Sequence, residues 1–329
     1  MVGGNISSEK IDLLVYGPNK PIVDNGFSDQ FVLHPFETRA DLDRLNPAVA
    51  AKIRGAAVTY STVRCDGAMM ALLPKLEIVA SFGVGYDHVD ANYAREHNIV
   101  VTNTPDVLTE EVADVAMGLL ISTLREFVKA DKYLRSGLWM TQQFPLSVGS
   151  LRDRKVGIVG MGRIGQAIGR RLEASRVPVV YHSRNPAHGV SYKHYPDLIE
   201  MAKAVDTLVV IVPGGPATAK MINADVMKAL GPRGVIVNVA RGSVIDEEAM
   251  ISALRSGTIL AAGLDVFANE PKVPDELRAM QNVVLLPHIG SASVVTRNAM
   301  DQLVVDNLKT WFAGKAPLTP IAETPVTGR

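Results

Sequence analysis

The segment Lys155–Leu172 places the tightest constraint on what this chain can fold into. A strand-like run, Lys155–Val159, passes directly into Gly160-Met161-Gly162-Arg163-Ile164-Gly165 and then into a helical stretch, Ile164–Leu172. Glycines at this spacing permit a tight turn, close approach of backbone to a pyrophosphate, and close packing of helix on strand. The helix starting at Arg163 would offer free N–H groups and its positive dipole end to phosphates. Strand, loop and helix in this order are the unit of a parallel sheet with crossover helices.

The rest of the chain repeats that alternation. Strands are predicted at Ile11–Tyr16, Phe31–Leu33, Ala57–Tyr60, Ile78–Phe82 and Ile99–Thr102. Val112, Val115, Ala116, Leu119, Leu120, Thr123, Phe127 and Val128 then recur at helical spacing and predict one long helix. Six further strands are predicted at Val156–Val159, Val179–Tyr181, Thr207–Val212, Val235–Val239, Leu260–Val266 and Val283–Leu286. The fold class is therefore α/β with two doubly wound parallel-sheet domains. A Rossmann-type nucleotide domain, residues 105–288, is inserted into a flavodoxin-like substrate domain made of residues 1–104 and 289–329. The last helical stretch, Ser293–Phe312, is too short for a domain and is expected to return to the first one. The tail from Gly314 reads as an ordered strap or a loose end.

Composition removes several classes of function. Lysine plus arginine equals aspartate plus glutamate at 34 each, so no net field recruits nucleic acid or an anionic membrane. Cys65 is the single cysteine, which excludes an internal disulfide and a cysteine zinc cluster. His88 beside Asp87 and Asp90 lacks a second histidine or cysteine at ligand spacing, and a helix-start acid pair explains it better; no metal is expected. The polar Met1–Lys10 stretch lacks the pattern of a signal peptide, and no apolar run is long enough to span a bilayer. A cytoplasmic location is expected.

Cofactor choice turns on the end of the strand after the glycine loop. NAD sites place an acid there for the ribose 2′-hydroxyl. Here the strand runs into His182-Ser183-Arg184-Asn185, with no carboxylate to repel a 2′-phosphate. Arg184 can pair with that phosphate, and Ser183 and Asn185 can donate to it, so NADP is expected. Further strand ends carry Val212-Pro213, Val239-Ala240-Arg241, Asp265 with Glu270, and His288 with Gly290. Arg241, Glu270 and His288 supply an anion holder, a carboxylate and a proton donor. Reducing a carbonyl beside a carboxylate needs those three parts.

Taken together, Gly83-Val84-Gly85-Tyr86-Asp87, the glycine loop, Asn238-Val239-Ala240-Arg241-Gly242, Asp265-Val266-Phe267 with Glu270-Pro271, and Pro287-His288-Ile289-Gly290 resemble the D-isomer-specific 2-hydroxyacid dehydrogenases. The resemblance covers nearly the whole chain and is greatest to the NADPH-dependent glyoxylate/hydroxypyruvate reductases. It implies hydride transfer from NADPH to a small 2-keto acid, giving a D-2-hydroxy acid. It implies that His288 is the general acid, that Glu270 hydrogen-bonds to it and favours the imidazolium, and that Arg241 pairs with the substrate carboxylate. Backbone N–H groups at Val84 and Gly85 would complete the carboxylate site. Asp265 would accept a hydrogen bond from the nicotinamide carboxamide. The cofactor contacts implied are Gly160, Gly162, Arg163, Ile164, Gly165, Ser183, Arg184, Asn185, Val212, Pro213, Val239, Ala240, Arg241, Asp265, His288 and Gly290. Residues at about 112–150 would form a dimerisation arm whose Trp139 reaches the active site of the partner subunit, or simply anchors a homodimer interface.

Two alternatives share these features. A phosphoglycerate dehydrogenase has the same fold and triad, although the stretch after His288 is too short for the regulatory domain that some of them carry. A nucleotide-sensing corepressor-like interaction protein can keep the triad as well. Near-zero net charge and the lack of long appended tails argue against it.

Overall fold

The computed structural model describes residues 10–60 and 63–326. Most of the polar N-terminal stretch, residues 1–9, and the last three residues of the tail lie outside the described residues. The chain divides into two compact units, residues 1–108 with 293–329 and residues 109–292. These bounds lie four residues beyond the expected crossings at 104 and 288.

The first unit is built on a five-stranded parallel sheet: β1 Ile11–Tyr16, β2 Phe31–Phe36, β3 Ile53–Val58, β4 Ile78–Ser81 and β5 Val100–Thr102. The order β2-β1-β3-β4-β5 is that of a flavodoxin-like sheet. The third strand starts four residues earlier than predicted, because Gly55 masks the apolar pattern there. A side chain at Gly55 would collide with Leu13 and with Phe312, so the helix Val294–Phe312 lies directly on the sheet. That helix buries Met300, Val304, Val305, Leu308 and Trp311. Each such side chain contributes about 1.5–3 kcal/mol by leaving water.

The tail is an ordered strap. Ile321 N–H donates to the Val101 carbonyl at 2.9 Å, and Val101 N–H donates to Thr324 Oγ1 at 2.9 Å. These bonds cover the outer edge of β5, which would otherwise expose unpaired backbone groups. Fully buried Asn307 ties helix to strap. Its Nδ2 donates to the Leu303 carbonyl and Thr319 Oγ1, at 2.8 and 2.9 Å, and its Oδ1 accepts from Thr319 N–H at 3.0 Å.

The second unit holds a seven-stranded parallel sheet: β6 Val156–Val159, β7 Val179–His182, β8 Lys193–Tyr195, β9 Thr207–Val210, β10 Val235–Asn238, β11 Ala261–Leu264 and β12 Val283–Leu285. The order is β12-β11-β10-β9-β6-β7-β8. The seventh strand, β8, escaped the sequence reading because its residues, Lys-His-Tyr, are too few and too polar to show alternation. The long predicted helix is also two. Thr109–Arg125 ends at Glu126, which takes a left-handed conformation (φ 52°), and Phe127–Arg135 follows. Phe127 and Val128 therefore leave the buried stripe and are 51% and 44% exposed.

Replacing Asn307 with Ala removes the partner of the partly buried Thr319 N–H, at a cost of about 1–3 kcal/mol. Chemical denaturation of Asn307→Ala should show this loss in the unfolding of the first unit. An unchanged midpoint would show that the strap holds without it.

Candidate active site

Every strand of the second unit runs the same way, so the loops after β6, β7, β9, β10, β11 and β12 emerge at one edge of the sheet. The glycine loop follows β6. Gly160 has φ +105°, and a Cβ there would meet the Ile211 carbonyl at 2.7 Å. A Cβ at Gly165 would overlap the Gly160 carbonyl, so only glycine lets the helix Arg163–Ala174 start this close to the strand. Gly162 is different: a Cβ there would meet nothing within 4 Å, and no side chain caps the helix start. Open backbone and uncapped N–H groups at a helix N-terminus are what a dinucleotide pyrophosphate requires. Val212 borders the same turn, with its Cγ1 3.0 Å from the Gly160 Cβ position, and Pro213 follows it.

The turn after β7 is pinned from two sides. A ring nitrogen of His182 bonds the Tyr195 carbonyl, and one of His194 bonds the Ser183 carbonyl, both at 2.9 Å. Ser183 Oγ donates to the Asn185 carbonyl at 2.6 Å. Arg184 and Asn185 are exposed, and no carboxylate among the described residues pairs with Arg184. The missed strand β8 therefore matters, because it carries His194 and Tyr195 to this turn.

Across the sheet, the loops after β10, β11 and β12 interlock. Asn238 is buried; its Oδ1 accepts from Ala240 N–H, and its Nδ2 donates to the Arg241 carbonyl, both at 3.0 Å. A side chain at Gly242 would overlap the Phe267 backbone, so this loop touches the one that carries Glu270. Phe267 N–H donates to Glu270 Oε1 at 3.0 Å, while Glu247 Oε2 accepts from Ala268 N–H at 3.2 Å. These contacts were not read from the sequence. Asn238 and Gly242 stand in a recognisable motif, but one-dimensional spacing does not show which backbone each one meets.

His288 Nδ1 and Glu270 Oε2 are 2.7 Å apart. That contact leaves Nε2 as the ring nitrogen able to face a reacting oxygen. Half-burial of the Glu270 carboxyl works to raise its pKa, yet the His288 hydrogen bond and charge, the Phe267 N–H and the Arg241 charge outweigh it and hold the group below its ordinary value. His288 itself sits in the left-handed region at φ +54°. Asp265 holds it there. Its carbonyl accepts His288 N–H at 2.8 Å, and its two carboxylate oxygens accept Ile289 and Gly290 N–H at 2.7 and 2.8 Å. Burial pushes the Asp265 carboxyl up, against the pull of those N–H groups. Each oxygen retains one lone pair for a further donor such as a carboxamide.

Val84 and Gly85 belong to the first unit, in the loop after β4. Gly83 N–H donates to Thr104 Oγ1 at 2.9 Å, and Asn103 Nδ2 donates to the Val84 carbonyl at 2.8 Å. The clamp fixes the loop while no acceptor among the described residues takes the Val84 or Gly85 N–H. Trp139 lies in a 3₁₀ turn, Leu138–Met140, and is 64% exposed. Asp90 caps the helix Ala91–Glu96 through Tyr93 N–H, and a ring nitrogen of His88 bonds Ser81 Oγ.

Residues 117–290 match the family model described as "D-isomer specific 2-hydroxyacid dehydrogenase, NAD binding domain". The chain is 44% identical over 313 residues to glyoxylate/hydroxypyruvate reductase A of Arabidopsis thaliana, covering 95% of this chain and 99% of that protein. It is 43% identical over 314 residues to hydroxyphenylpyruvate reductase of Plectranthus scutellarioides, with the same coverage. Among solved structures, it is similar to an NADPH-dependent glyoxylate/hydroxypyruvate reductase from Sinorhizobium meliloti in complex with NADP and malonate. The TM-score is 0.93 and the identity 53%, over 97% of this chain and 99% of that one.

The depressed Glu270 pKa sets a stability prediction. A carboxyl group whose folded pKa lies below its unfolded value of about 4.3 stabilises the fold above that value, and the gain is lost as pH falls through the folded pKa. The melting-temperature difference between the wild type and Glu270→Gln should hold steady from about pH 6 to 5 and shrink only below about pH 4.3. A difference that has already vanished by pH 5 would contradict the ion-paired carboxylate.

Proposed function

The chain belongs to the D-isomer-specific 2-hydroxyacid dehydrogenases, and we propose that within this family it is an NADPH-dependent reductase of small 2-keto acids such as hydroxypyruvate and glyoxylate. The observation that carries this reading is the His288–Glu270 pair at the edge of the parallel sheet that bears the glycine loop. NADPH, when bound, supplies the hydride. The protein supplies position, charge and one proton. Gly160, Gly162, Arg163, Ile164 and Gly165 hold the pyrophosphate, with Val212, Pro213, Val239 and Ala240 along the cofactor. Ser183, Arg184 and Asn185 hold the 2′-phosphate. Asp265 orients the carboxamide through its remaining lone pairs, and in doing so selects the ring face presented to substrate.

Arg241 pairs with the substrate carboxylate and draws charge toward the carbonyl oxygen as it becomes an alkoxide. His288 passes its Nε2 proton to that oxygen, and the Glu270 carboxylate compensates the imidazolium until then. On the first unit the N–H groups of Val84 and Gly85 donate to a substrate carboxylate, the role of a substrate domain, and residues 109–292 act as the cofactor domain.

A homodimer fits the exposed apolar side chains of the arm, where Trp139, Met140 and Leu146 are 64%, 86% and 97% exposed. A monomer rarely leaves so many in one segment. Trp139 then either reaches the second copy's substrate or anchors the interface. No described helix is long and apolar enough to cross a membrane, which accords with a cytoplasmic enzyme.

Steady-state assays should show turnover of hydroxypyruvate and glyoxylate, faster with NADPH than with NADH. Arg184→Ala should raise the NADPH KM and leave NADH kinetics nearly unchanged; equal losses would remove Arg184 from the 2′-phosphate site. His288→Ala should cut turnover by about 10²-fold or more while NADPH binding, read by fluorescence, persists. A His288→Ala variant that retains near wild-type turnover would end the proton-donor assignment.

A further inference from the structure

The first unit carries a cationic cluster at the carboxyl ends of β1, β3 and β4, the edge at which open parallel sheets take ligands. Phe82 directly follows β4, and Tyr60 lies just beyond β3. The Arg297 guanidinium packs over both rings, 5.1 Å from the Phe82 centroid and 5.9 Å from that of Tyr60. Lys20 Nζ lies 4.1 Å from the centroid of the same Phe82 ring.

The two cations differ in what they bond. Lys20 pairs with the buried Asp301 carboxylate at 3.3 Å. Asp301 is one turn from Arg297 on the same helix and feels its charge, but the hydrogen bond its carboxylate accepts comes from Lys20. Arg297 makes no hydrogen bond or ion pair through its side chain among the described residues; the two rings hold it. A guanidinium held by aromatic contacts keeps its in-plane N–H donors for oxygen acceptors. It is also half-buried, where an ionic donor set without acceptors is costly. Phe82 leads straight into Gly83-Val84-Gly85, so the ring on which Arg297 packs belongs to a residue within about 11 Å of chain contour from the N–H groups assigned to the substrate carboxylate.

We propose that Arg297 is a specificity-determining residue that hydrogen-bonds an oxygen at the distal end of the 2-keto acid. That oxygen is the hydroxyl of hydroxypyruvate or the second carboxylate of a 2-keto dicarboxylic acid. The assignment rests on the reading of the chain as a 2-keto acid reductase. Glyoxylate has no distal carbon and serves as the internal reference.

The experiment compares kcat/KM for hydroxypyruvate, oxaloacetate and glyoxylate at saturating NADPH in the wild type, Arg297→Met and Arg297→Lys. Methionine keeps an unbranched stem and removes the donors. The hydroxypyruvate-to-glyoxylate and oxaloacetate-to-glyoxylate ratios should fall about tenfold or more in Arg297→Met, the scale of one hydrogen bond to a charged group. Arg297→Lys should give intermediate ratios, since it keeps the charge and loses the planar fork. Unchanged ratios, or a loss that glyoxylate shares equally, overturn the assignment. If Arg297→Met does not fold, Arg297→Lys carries the test, and unchanged ratios there overturn it as well. A wild type that reduces none of the three acids sinks the functional reading itself, an outcome distinct from unaltered ratios in an active enzyme.

Discussion

Asp265 is the side chain on which the geometry of the second unit's candidate site depends. It is almost fully buried, and its carbonyl and both carboxylate oxygens accept three successive backbone N–H groups, those of His288, Ile289 and Gly290. A non-glycine residue at positive φ persists only where its surroundings over-determine it. Those three bonds do so for His288, and the ring that results points Nδ1 at Glu270. Burying a carboxylate is costly, and the raised Asp265 pKa records that cost. Three N–H donors offset much of it. The arrangement makes the histidine's position a property of the sheet, because Asp265 directly follows β11.

The same economy of parts recurs around it. Gly242 lets the Arg241 loop lie against the Phe267 backbone, and Phe267 N–H in turn orients Glu270. Asn238 closes the other side of the Arg241 loop with both ends of its amide. Cation, carboxylate and imidazole are thus linked through backbone contacts between three strand ends. Small displacements of such a constellation are expensive in rate, which gives a physical reason for the tight packing of loops that carry no chemistry themselves.

Much of this was legible beforehand, and for one reason. A strand–glycine–helix junction and a parallel α/β alternation are local patterns, set by side-chain period and by where glycine is tolerated. The strands, the helix at Arg163 and the strand-end positions of Arg241, Glu270 and His288 follow from such patterns. The failures are also local in cause. Lys193–Tyr195 is too short and polar to show a period, and it is a strand only because β7 offers an edge to pair with. The helix break at Glu126 rests on a left-handed residue that is not glycine, so no composition signal marks it.

What the sequence by itself determined is the kind of chain this is: two doubly wound parallel sheets, a strand–loop–helix junction that needs glycine at 160 and 165, and a histidine, a carboxylate and an arginine in the loops at strand ends. These depend on residue type at short range. The tertiary structure alone decided which backbone Asn238 clamps, that Gly242 meets Phe267, that Asp265 fixes the histidine, and that Arg297 packs on Phe82 and Tyr60. Each of these joins residues far apart in the chain. Their meeting depends on how strands are ordered and how closely helices pack, and no period or spacing encodes that.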